Sequence, residues 1–343
     1  MLRLHEYQYH RPGTLADALA LIAAHPGRAL AIAGGTDLVP NMKHGLFTPR
    51  HLVALRQIPE LHGIDERDGE LVIGAAETLA GIAAHPLVRR HFPALARAAG
   101  SVAGPQLRNM GTLGGNLCLD TRCTYYNQTF FWRDALGFCL KKDGDVCHVT
   151  KVGRKCVAAH SADTPPVLIT LDARMDLASP RGERTLSVAD FFVADGIDNT
   201  VRGWDELVTR VRIPLDDRLR TGFRKLRQRG AIDFPLLNVA VAARVDGDII
   251  ASLRIVVSAL GARPRLLTGL DRVAEGRPWS ASVAEAVAER AFQQCHPLEN
   301  IIVDPEWRRA MVPVQVRRAL HEALGPTGPD APPEAPGPDG RVA

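Results

Sequence analysis

Several features that would assign a function at once are missing from this sequence of 343 residues. No apolar stretch approaches the roughly 18 residues needed to cross a bilayer, and the first residues lack the apolar segment of a secretion signal. The 42 basic and 38 acidic residues leave a net charge of only +4, too small for a chain of this length to bind nucleic acid through its phosphates. We therefore expect a cytoplasmic globular protein that binds neither membranes nor nucleic acid.

The common motifs of nucleotide, metal and hydrolytic sites are also absent. The chain contains no G-x-G-x-x-G and no G-x-x-x-x-G-K-[ST], which excludes the usual Rossmann and P-loop phosphate sites. It has no C-x-x-C pair, and its 12 histidines form no H-x-x-x-H pattern. No side chain stands out as an acid, base or nucleophile, so we expect no catalytic residue in this chain.

Apolar periodicity and capping residues predict a mixture of helices and strands. A helix is expected at 15–24 after the cap Thr14, and a tight turn at Asp246-Gly247 is expected to join two strands. The other predicted strands are 28–33, 70–74, 167–171 and 206–213, and the other predicted helices are 79–83, 93–100, 282–294 and one from Asp304-Pro305. The last residues, 326–343, hold six of the 24 prolines and are expected to be disordered.

Two glycine-rich segments are the first candidate site. One is Ile32-Ala33-Gly34-Gly35-Thr36-Asp37-Leu38 and the other is Thr112-Leu113-Gly114-Gly115-Asn116. Paired glycines let backbone N–H groups approach an anion closely, so both segments suit a pyrophosphate. An ordinary turn is the alternative for each.

Four cysteines form the second candidate site. Cys123, Cys139, Cys147 and Cys156 follow one another at intervals that could place four thiolates around an iron–sulfur cluster or a zinc ion. Zinc sites usually use a close C-x-x-C pair, so the spacing favours a cluster held by an irregular loop, with unrelated buried thiols as a third possibility. Cys118 and Cys295 are read as packed thiols outside the set.

The same loop is rich in aromatic and basic residues. Aromatics could shield a cluster from water, and positive charge could stabilise its reduced form or attract an acidic electron carrier. The aromatics are Tyr125, Tyr126, Phe130, Phe131, Trp132 and Phe138, and the basic residues are Lys141, Lys142, Lys151, Arg154 and Lys155.

The two glycine segments, with Phe223-x-Lys225 and Asp233-Phe234-Pro235 downstream, resemble the FAD-binding medium subunits of the molybdenum hydroxylases, the family of xanthine dehydrogenase and carbon monoxide dehydrogenase. The likeness covers residues 1–325. It implies an α+β fold with an FAD-binding domain at 1–216, in two lobes of about 1–56 and 57–216. A small sheet-plus-helix domain is implied at 217–325.

The resemblance also implies which residues contact FAD. Residues 32–38 and 112–116 would hold the diphosphate, and Val102, Val208 and Lys225 would touch the cofactor elsewhere. Thr124 falls near a position that is often Asp in relatives.

The residues from about 120 to 160 form an insertion that most relatives lack. The 4-hydroxybenzoyl-CoA reductase branch of the family has such an insertion, with a [4Fe-4S] cluster on four cysteines. The resemblance therefore implies a subunit that passes electrons from ferredoxin through [4Fe-4S] and FAD toward partner subunits. Those partners would be a molybdopterin-containing large subunit and a [2Fe-2S] small subunit, assembled as a dimer of heterotrimers.

Two alternatives stay open at this point. The chain could serve another molybdenum hydroxylase of the aromatic, aldehyde or CO dehydrogenase type, with electrons flowing outward through FAD. It could instead be a zinc-binding interaction module whose glycine segments are turns.

Overall fold

The computed structural model describes residues 2–327, so most of the tail predicted to be disordered, 326–343, lies outside the described residues. The first lobe is a three-stranded parallel sheet with strand order β1-β3-β2, flanked by helices. The Thr14 hydroxyl caps its first helix by accepting the Asp17 N–H, as the sequence predicts. The elements are β1 (Gln8–His10), α1 (Leu15–Ala24), β2 (Ala29–Ile32), α2 (Leu38–Lys43), β3 (His51–Ala54) and a 3₁₀ turn (Pro59–Leu61).

The second lobe contains a five-stranded antiparallel sheet with order β4-β5-β8-β6-β7. Its strands are β4 (Ile64–Arg67), β5 (Glu70–Gly74), β6 (Arg174–Ser179), β7 (Gly182–Ser187) and β8 (Leu207–Pro214). Its helices are α3 (Leu79–Ala84), α4 (Pro86–His91), α5 (Pro93–Ser101), α6 (Pro105–Arg108), α7 (Leu113–Leu117), α8 (Phe130–Leu136, in the insertion), α9 (Thr164–Thr170) and α10 (Val188–Phe191). Helices and sheet share one apolar core.

The C-terminal region packs two long helices against a four-stranded antiparallel sheet with order β12-β11-β10-β9. Gly247 at the β10–β11 turn has φ +60°, the left-handed conformation that a tight hairpin requires. The elements are β9 (Leu219–Leu226), β10 (Leu237–Asp246), β11 (Ile249–Ser258), β12 (Arg265–Leu266), α11 (Ala281–Gln294) and α12 (Pro305–Leu324). Strand β9 also contacts α5, which connects this region to the second lobe.

One secondary-structure prediction is wrong. Residues 167–170 of the apolar run 167–171, expected to be a strand, lie in the helix α9, and Leu171 is its C-cap. Every residue of this helix is buried, so its sequence shows no polar face and no 3.6-residue period. The proline pair Pro165-Pro166 in its first turn is compatible with a helix start and is the signal that could have corrected the prediction.

No helix within residues 2–327 is long and apolar enough to span a membrane.

Candidate functional site: a flavin cleft and a four-cysteine pocket

A cleft of about 360 Å³ opens between the lobes, beside β9 of the C-terminal region. The end of β2 and the start of α2 form one wall, and the second glycine segment forms another. Of the residues predicted to contact FAD, all except Leu113 and Thr124 line this cleft: Ile32, Ala33, Gly34, Gly35, Thr36, Asp37, Leu38, Val102, Thr112, Gly114, Gly115, Asn116, Val208 and Lys225. Chain segments far apart in sequence therefore meet at one cavity.

The first glycine segment presents open backbone donors. Gly35 has φ +68°, a conformation that side chains with a Cβ rarely adopt, and it turns the chain from β2 into α2. Among the hydrogen bonds of the described residues, none joins the backbone N–H groups of residues 34–37 to a protein acceptor. Consecutive N–H groups of this kind form an anion-binding concavity.

The two glycine segments touch. A Cβ built on Gly34 would lie 1.9 Å from the backbone oxygen of Met110, just before the second segment. Only a residue without a side chain allows this approach, so Gly34 sets the distance between two walls of the cleft.

The second glycine segment uses its backbone donors within the fold. The Gly114 N–H donates to the Ala75 carbonyl at 2.8 Å, and the Gly115 N–H donates to Thr112 Oγ1 at 3.1 Å. Thr112 is thereby the N-cap of α7. Leu113 points away from the cleft into the apolar core. The Thr112 hydroxyl keeps its own proton, so this segment can donate to a ligand through that side chain.

A buried ion pair closes the side of the cleft formed by β9. Lys225 Nζ lies 2.6 Å from Asp163 Oδ2, and both side chains are less than 5% exposed. Asn238 donates to the other Asp163 oxygen at 2.9 Å, and Lys225 also donates to the Ser101 carbonyl. Burial raises the pKa of Asp163 and lowers the pKa of Lys225, and the attraction between the two groups opposes both shifts.

Thr124, which the resemblance places near FAD, does not line the cleft, whereas Asp163 does. Thr124 lies away from the cleft, where its N–H and hydroxyl both donate to the Asn300 carbonyl. Asp163 follows the insertion in sequence and lines the cleft. The acidic residue before Thr164-Pro165-Pro166 was the available signal.

Asp37 and Arg122 connect the cleft to the insertion. Arg122 Nη1 lies 3.1 Å from Asp37 Oδ1, and its guanidinium lies 4.0 Å from the centre of the Phe234 ring. Burial raises the pKa of Asp37 to about 6, against the opposing effect of Arg122. Sequence reasoning did not single out Arg122, whose only signal was its place beside Cys123.

The four predicted cysteines line one pocket in the insertion. Cys123, Cys139, Cys147 and Cys156 are each less than 10% exposed, and the other three thiols all act on Cys123 electrostatically. Among residues 2–327, no three His, Cys, Asp or Glu side chains are arranged to hold a single metal ion. The four thiols share one pocket, and the donor set by itself suits either a cluster or a zinc ion.

A backbone N–H group donates to one of these sulfurs. The Ala158 nitrogen lies 3.4 Å from Cys156 Sγ, two residues after that cysteine. Burial raises the pKa of Cys123 to about 11 and also raises the pKa of Cys156. For Cys147, burial is outweighed by nearby backbone N–H groups, which lower the pKa.

The aromatic and basic residues of the insertion divide into two groups. Tyr126 is buried beside the thiols, whereas Phe130, Phe131 and Trp132 on α8 are exposed and do not shield the pocket from water. Lys141 is only 4% exposed and pairs with Asp120, so it cannot attract a partner in solution. The exposed basic residues are Lys151, Arg154 and Lys155.

The cleft fits a dinucleotide such as FAD. Its first glycine segment offers free N–H donors for a diphosphate, and Ser161 Oγ is a buried polar atom of the cleft wall with no hydrogen-bond partner. A buried hydroxyl without a partner is costly unless a ligand satisfies it. Residues that could meet FAD therefore include Ser161 and Asp163 in addition to those predicted.

Comparisons with known proteins support this interpretation. Residues 5–216 match the FAD binding domain in molybdopterin dehydrogenase, and residues 222–323 match the CO dehydrogenase flavoprotein C-terminal domain. The aldehyde oxidoreductase FAD-binding subunit of Escherichia coli K12 is 32% identical, over 85% of this chain and 91% of that protein. The xanthine dehydrogenase FAD-binding subunit of Escherichia coli O157:H7 is 28% identical, over 93% of this chain and 97% of that protein.

Solved structures agree with the fold. The carbon monoxide dehydrogenase structure from Hydrogenophaga pseudoflava superimposes with a TM-score of 0.76 at 26% identity, covering 94% of this chain and 98% of that chain. The predicted fold class is confirmed, namely an FAD-binding domain of the molybdopterin dehydrogenase type followed by the smaller C-terminal domain. The chain belongs to the family of FAD-binding medium subunits of the molybdopterin dehydrogenases, of the xanthine and carbon monoxide dehydrogenase type.

Proposed function

We propose that this chain is the electron-transfer subunit of a molybdenum enzyme and carries a [4Fe-4S] cluster in addition to FAD. The observation that carries the proposal is the gathering of four buried thiols in the insertion, beside the flavin cleft. Four thiolates complete a cubane cluster with no outside ligand. Cys123, Cys139, Cys147 and Cys156 would hold it.

The pocket suits a cluster better than a zinc ion. Zinc sites usually include a close C-x-x-C pair, and this sequence has none. The Ala158 N–H donates to Cys156 Sγ, and such hydrogen bonds stabilise thiolates and tune the potential of a cluster. The proposal of a zinc-binding interaction module is also weakened by the family match, which covers both glycine segments.

The protein's own residues bind and orient in this proposal. Residues 34–37 would donate backbone N–H groups to the diphosphate, and Arg122 would offset the charge of the Asp37 carboxylate beside them. The buried Asp163–Lys225 pair holds the opposite side of the cleft in place. When bound, FAD and the cluster supply electron storage, and no side chain needs to act as an acid, base or nucleophile.

The substrate and partners proposed are those of the 4-hydroxybenzoyl-CoA reductase branch. There the phenolic hydroxyl leaves as water when two electrons and two protons are added, giving benzoyl-CoA. Electrons would pass from ferredoxin through [4Fe-4S] and FAD to [2Fe-2S] and molybdenum in partner subunits of a dimer of heterotrimers in the cytoplasm. The exposed Lys151, Arg154 and Lys155 beside the pocket are the candidate contact for an acidic ferredoxin.

A second candidate is the FAD subunit of an outward-flowing molybdenum hydroxylase. Relatives named for xanthine, carbon monoxide and aldehyde favour it. The cysteine insertion favours the reductase, because a subunit that only accepts electrons from molybdenum needs no second redox group. Anaerobic assays of the purified complex with 4-hydroxybenzoyl-CoA and a strong reductant separate the two. Formation of benzoyl-CoA supports the reductase, and its absence together with oxidation of an aldehyde or a purine supports the hydroxylase.

Metal analysis tests the cluster. The purified complex should contain about four irons at this site, and Cys139→Ala should remove them while FAD is retained, because the glycine segments lie outside the insertion. Cys295→Ala is the matched control, since Cys295 is equally buried but lies in the C-terminal core. Zinc in place of iron, or unchanged iron in Cys139→Ala, would contradict the proposal.

A further inference from the structure

An ion pair spans the wall between the flavin cleft and the cysteine pocket. Asp120 lines the cleft, and Lys141 lines the pocket. Lys141 Nζ lies 2.5 Å from Asp120 Oδ1. The two cavities are thus separated by one ammonium group and one carboxylate at this point.

The orientation of this pair is fixed by its surroundings. Besides Asp120, the Lys141 ammonium donates to Thr121 Oγ1 at 2.5 Å and to the Gly196 carbonyl at 2.6 Å, so each of its three N–H groups has an acceptor. Tyr126 donates its hydroxyl to Asp120 Oδ2 at 2.8 Å, and the ammonium lies 4.4 Å from the centre of its ring. Because hydrogen bonds hold both groups, the ammonium stays on the side of the cysteine pocket and the carboxylate on the side of the cleft.

The charge of Lys141 lies in the wall between the two cavities. Its side chain lines the pocket of the four thiols, and its partner Asp120 lines the cleft. In such a buried position the effective dielectric constant is low and screening by salt is weak, so a fixed charge has a larger effect than at the surface. The ammonium is the end nearer the thiols, and the carboxylate is the end that lines the cleft.

We propose that the Lys141–Asp120 pair is a fixed dipole that sets the difference in potential between the two redox groups, with its positive end favouring an electron on the cysteine side and its negative end disfavouring one on the flavin. The inference rests on the proposed function for its cluster half and on the family match for its flavin half. Lys141 and Asp120 are positioning residues in this role. They act through their charge and take no part in bond making.

Opposite changes at the two ends give the test. In the purified complex, Lys141→Met should disfavour reduction of both groups, by about tenfold at the cluster, which equals about 59 mV for a one-electron couple. Asp120→Asn should favour reduction of both groups, with the larger shift at the flavin. Potentials are measured by spectroelectrochemical titration, with iron and flavin contents determined beforehand.

Matched variants separate charge from packing. Lys141→Arg keeps the charge and should leave the potentials close to those of the wild type. Lys142→Met removes a neighbouring charge that is 36% exposed and paired with Asp143, and should shift either potential by less than a third of the Lys141→Met effect. A purely structural role predicts loss of cofactor or shifts of the same sign in Lys141→Met and Asp120→Asn, and either result overturns the dipole.

Failure of the proposed function gives a different result. Wild-type protein without iron contradicts the cluster, and the dipole is then judged on the flavin alone. The flavin potential must still fall in Lys141→Met and rise in Asp120→Asn. If the flavin potential changes in neither variant, the proposal of a fixed dipole is wrong as well.

Discussion

The two glycine segments look alike in sequence but are used differently in the fold. In the first, Gly35 adopts a left-handed conformation, and the N–H groups of 34–37 have no acceptor among the described residues. In the second, the N–H groups of Gly114 and Gly115 are already bonded to Ala75 and Thr112. A Gly-Gly pair therefore does not show by itself whether its backbone faces a ligand or its own protein.

The difference follows from what lies around each pair. The first segment joins a strand to a helix at the cleft, where the turn leaves donors facing open space. The second begins a short helix that packs against Ala75. A Cβ on residue 114 would lie 3.0 Å from the Ala75 Cβ, so this packing requires a glycine there. We infer that the first segment binds a diphosphate through its backbone and that the second contributes through the Thr112 hydroxyl.

The largest effect is expected where the two segments touch. Gly34→Ala would place a Cβ 1.9 Å from the Met110 oxygen, and backbone atoms there cannot move aside as a flexible side chain could. We expect the free energy of unfolding to fall by about 3 kcal/mol. Urea denaturation measures it, with Gly13→Ala as the control because a Cβ at Gly13 meets nothing within 4 Å. Equal stability of both variants would mean that the segments do not make this contact.

A matched pair of substitutions separates backbone donors from packing. Gly35→Ala forces a side chain into a left-handed conformation, at a cost of about 1–2 kcal/mol, and should reorient the free N–H groups. We expect FAD affinity to fall at least tenfold, or about 1.4 kcal/mol. Gly114→Ala should lower stability by a similar amount through crowding against Ala75, with little change in FAD affinity of the folded protein.

Flavin titration of both apoproteins, followed by fluorescence, gives the two affinities, and urea unfolding gives the two stabilities. If Gly114→Ala weakens FAD as much as Gly35→Ala does, the segments are equivalent and the contrast drawn from their hydrogen bonds is wrong.

Much of the fold was predictable because its signals are local. Thr14 and Asp304 mark helix starts, and Asp246-Gly247 marks a hairpin, through interactions within a few residues of sequence. Helix α9 was mistaken for a strand because burial on all sides removes the polar face that distinguishes the two. Which face of a short apolar run is buried depends on tertiary packing that no local pattern records.

The site was predicted less evenly. The sequence singled out the glycine segments and Lys225, which line the cleft, but it did not single out Asp163, the partner of Lys225, which lies 62 residues away. The burial of Lys141 could not be predicted, since in sequence it is one of several lysines in a loop. Its partner Asp120 lies 21 residues earlier, and only the folded loop brings the two together.

A smaller effect is expected at Thr112, where the second segment meets the cleft through a side chain. Thr112→Val removes the acceptor of the Gly115 N–H and should lower stability by about 1 kcal/mol. It also removes the hydroxyl proton available to a phosphate, so FAD affinity should fall about fivefold, or roughly 1 kcal/mol. Thr112→Ser keeps both functions and should resemble the wild type. Unchanged FAD affinity in Thr112→Val would leave the second segment with a purely structural role.

The smallest effect is a pH dependence that belongs to the first segment alone. Burial raises the pKa of Asp37 from 3.8 to about 6, so the folded apoprotein holds this proton more tightly than the unfolded chain does. The resulting stabilisation is fully present below pH 3.8 and is lost as the pH rises through about 6. Because the Asp37 side chain is 28% exposed, solvent screening should limit the loss to about 1 kcal/mol.

Other carboxylates titrate in the same range, so the quantity to measure is the difference in unfolding free energy between wild type and Asp37→Asn at pH 4.5 and at pH 7.5. The variant should gain on the wild type as the pH rises, and FAD affinity of the wild type should weaken over the same interval, since an ionised Asp37 repels the diphosphate that the neighbouring N–H groups attract. A difference independent of pH would show that Arg122 keeps Asp37 ionised throughout, and the first segment would then bind its anion beside a permanent carboxylate.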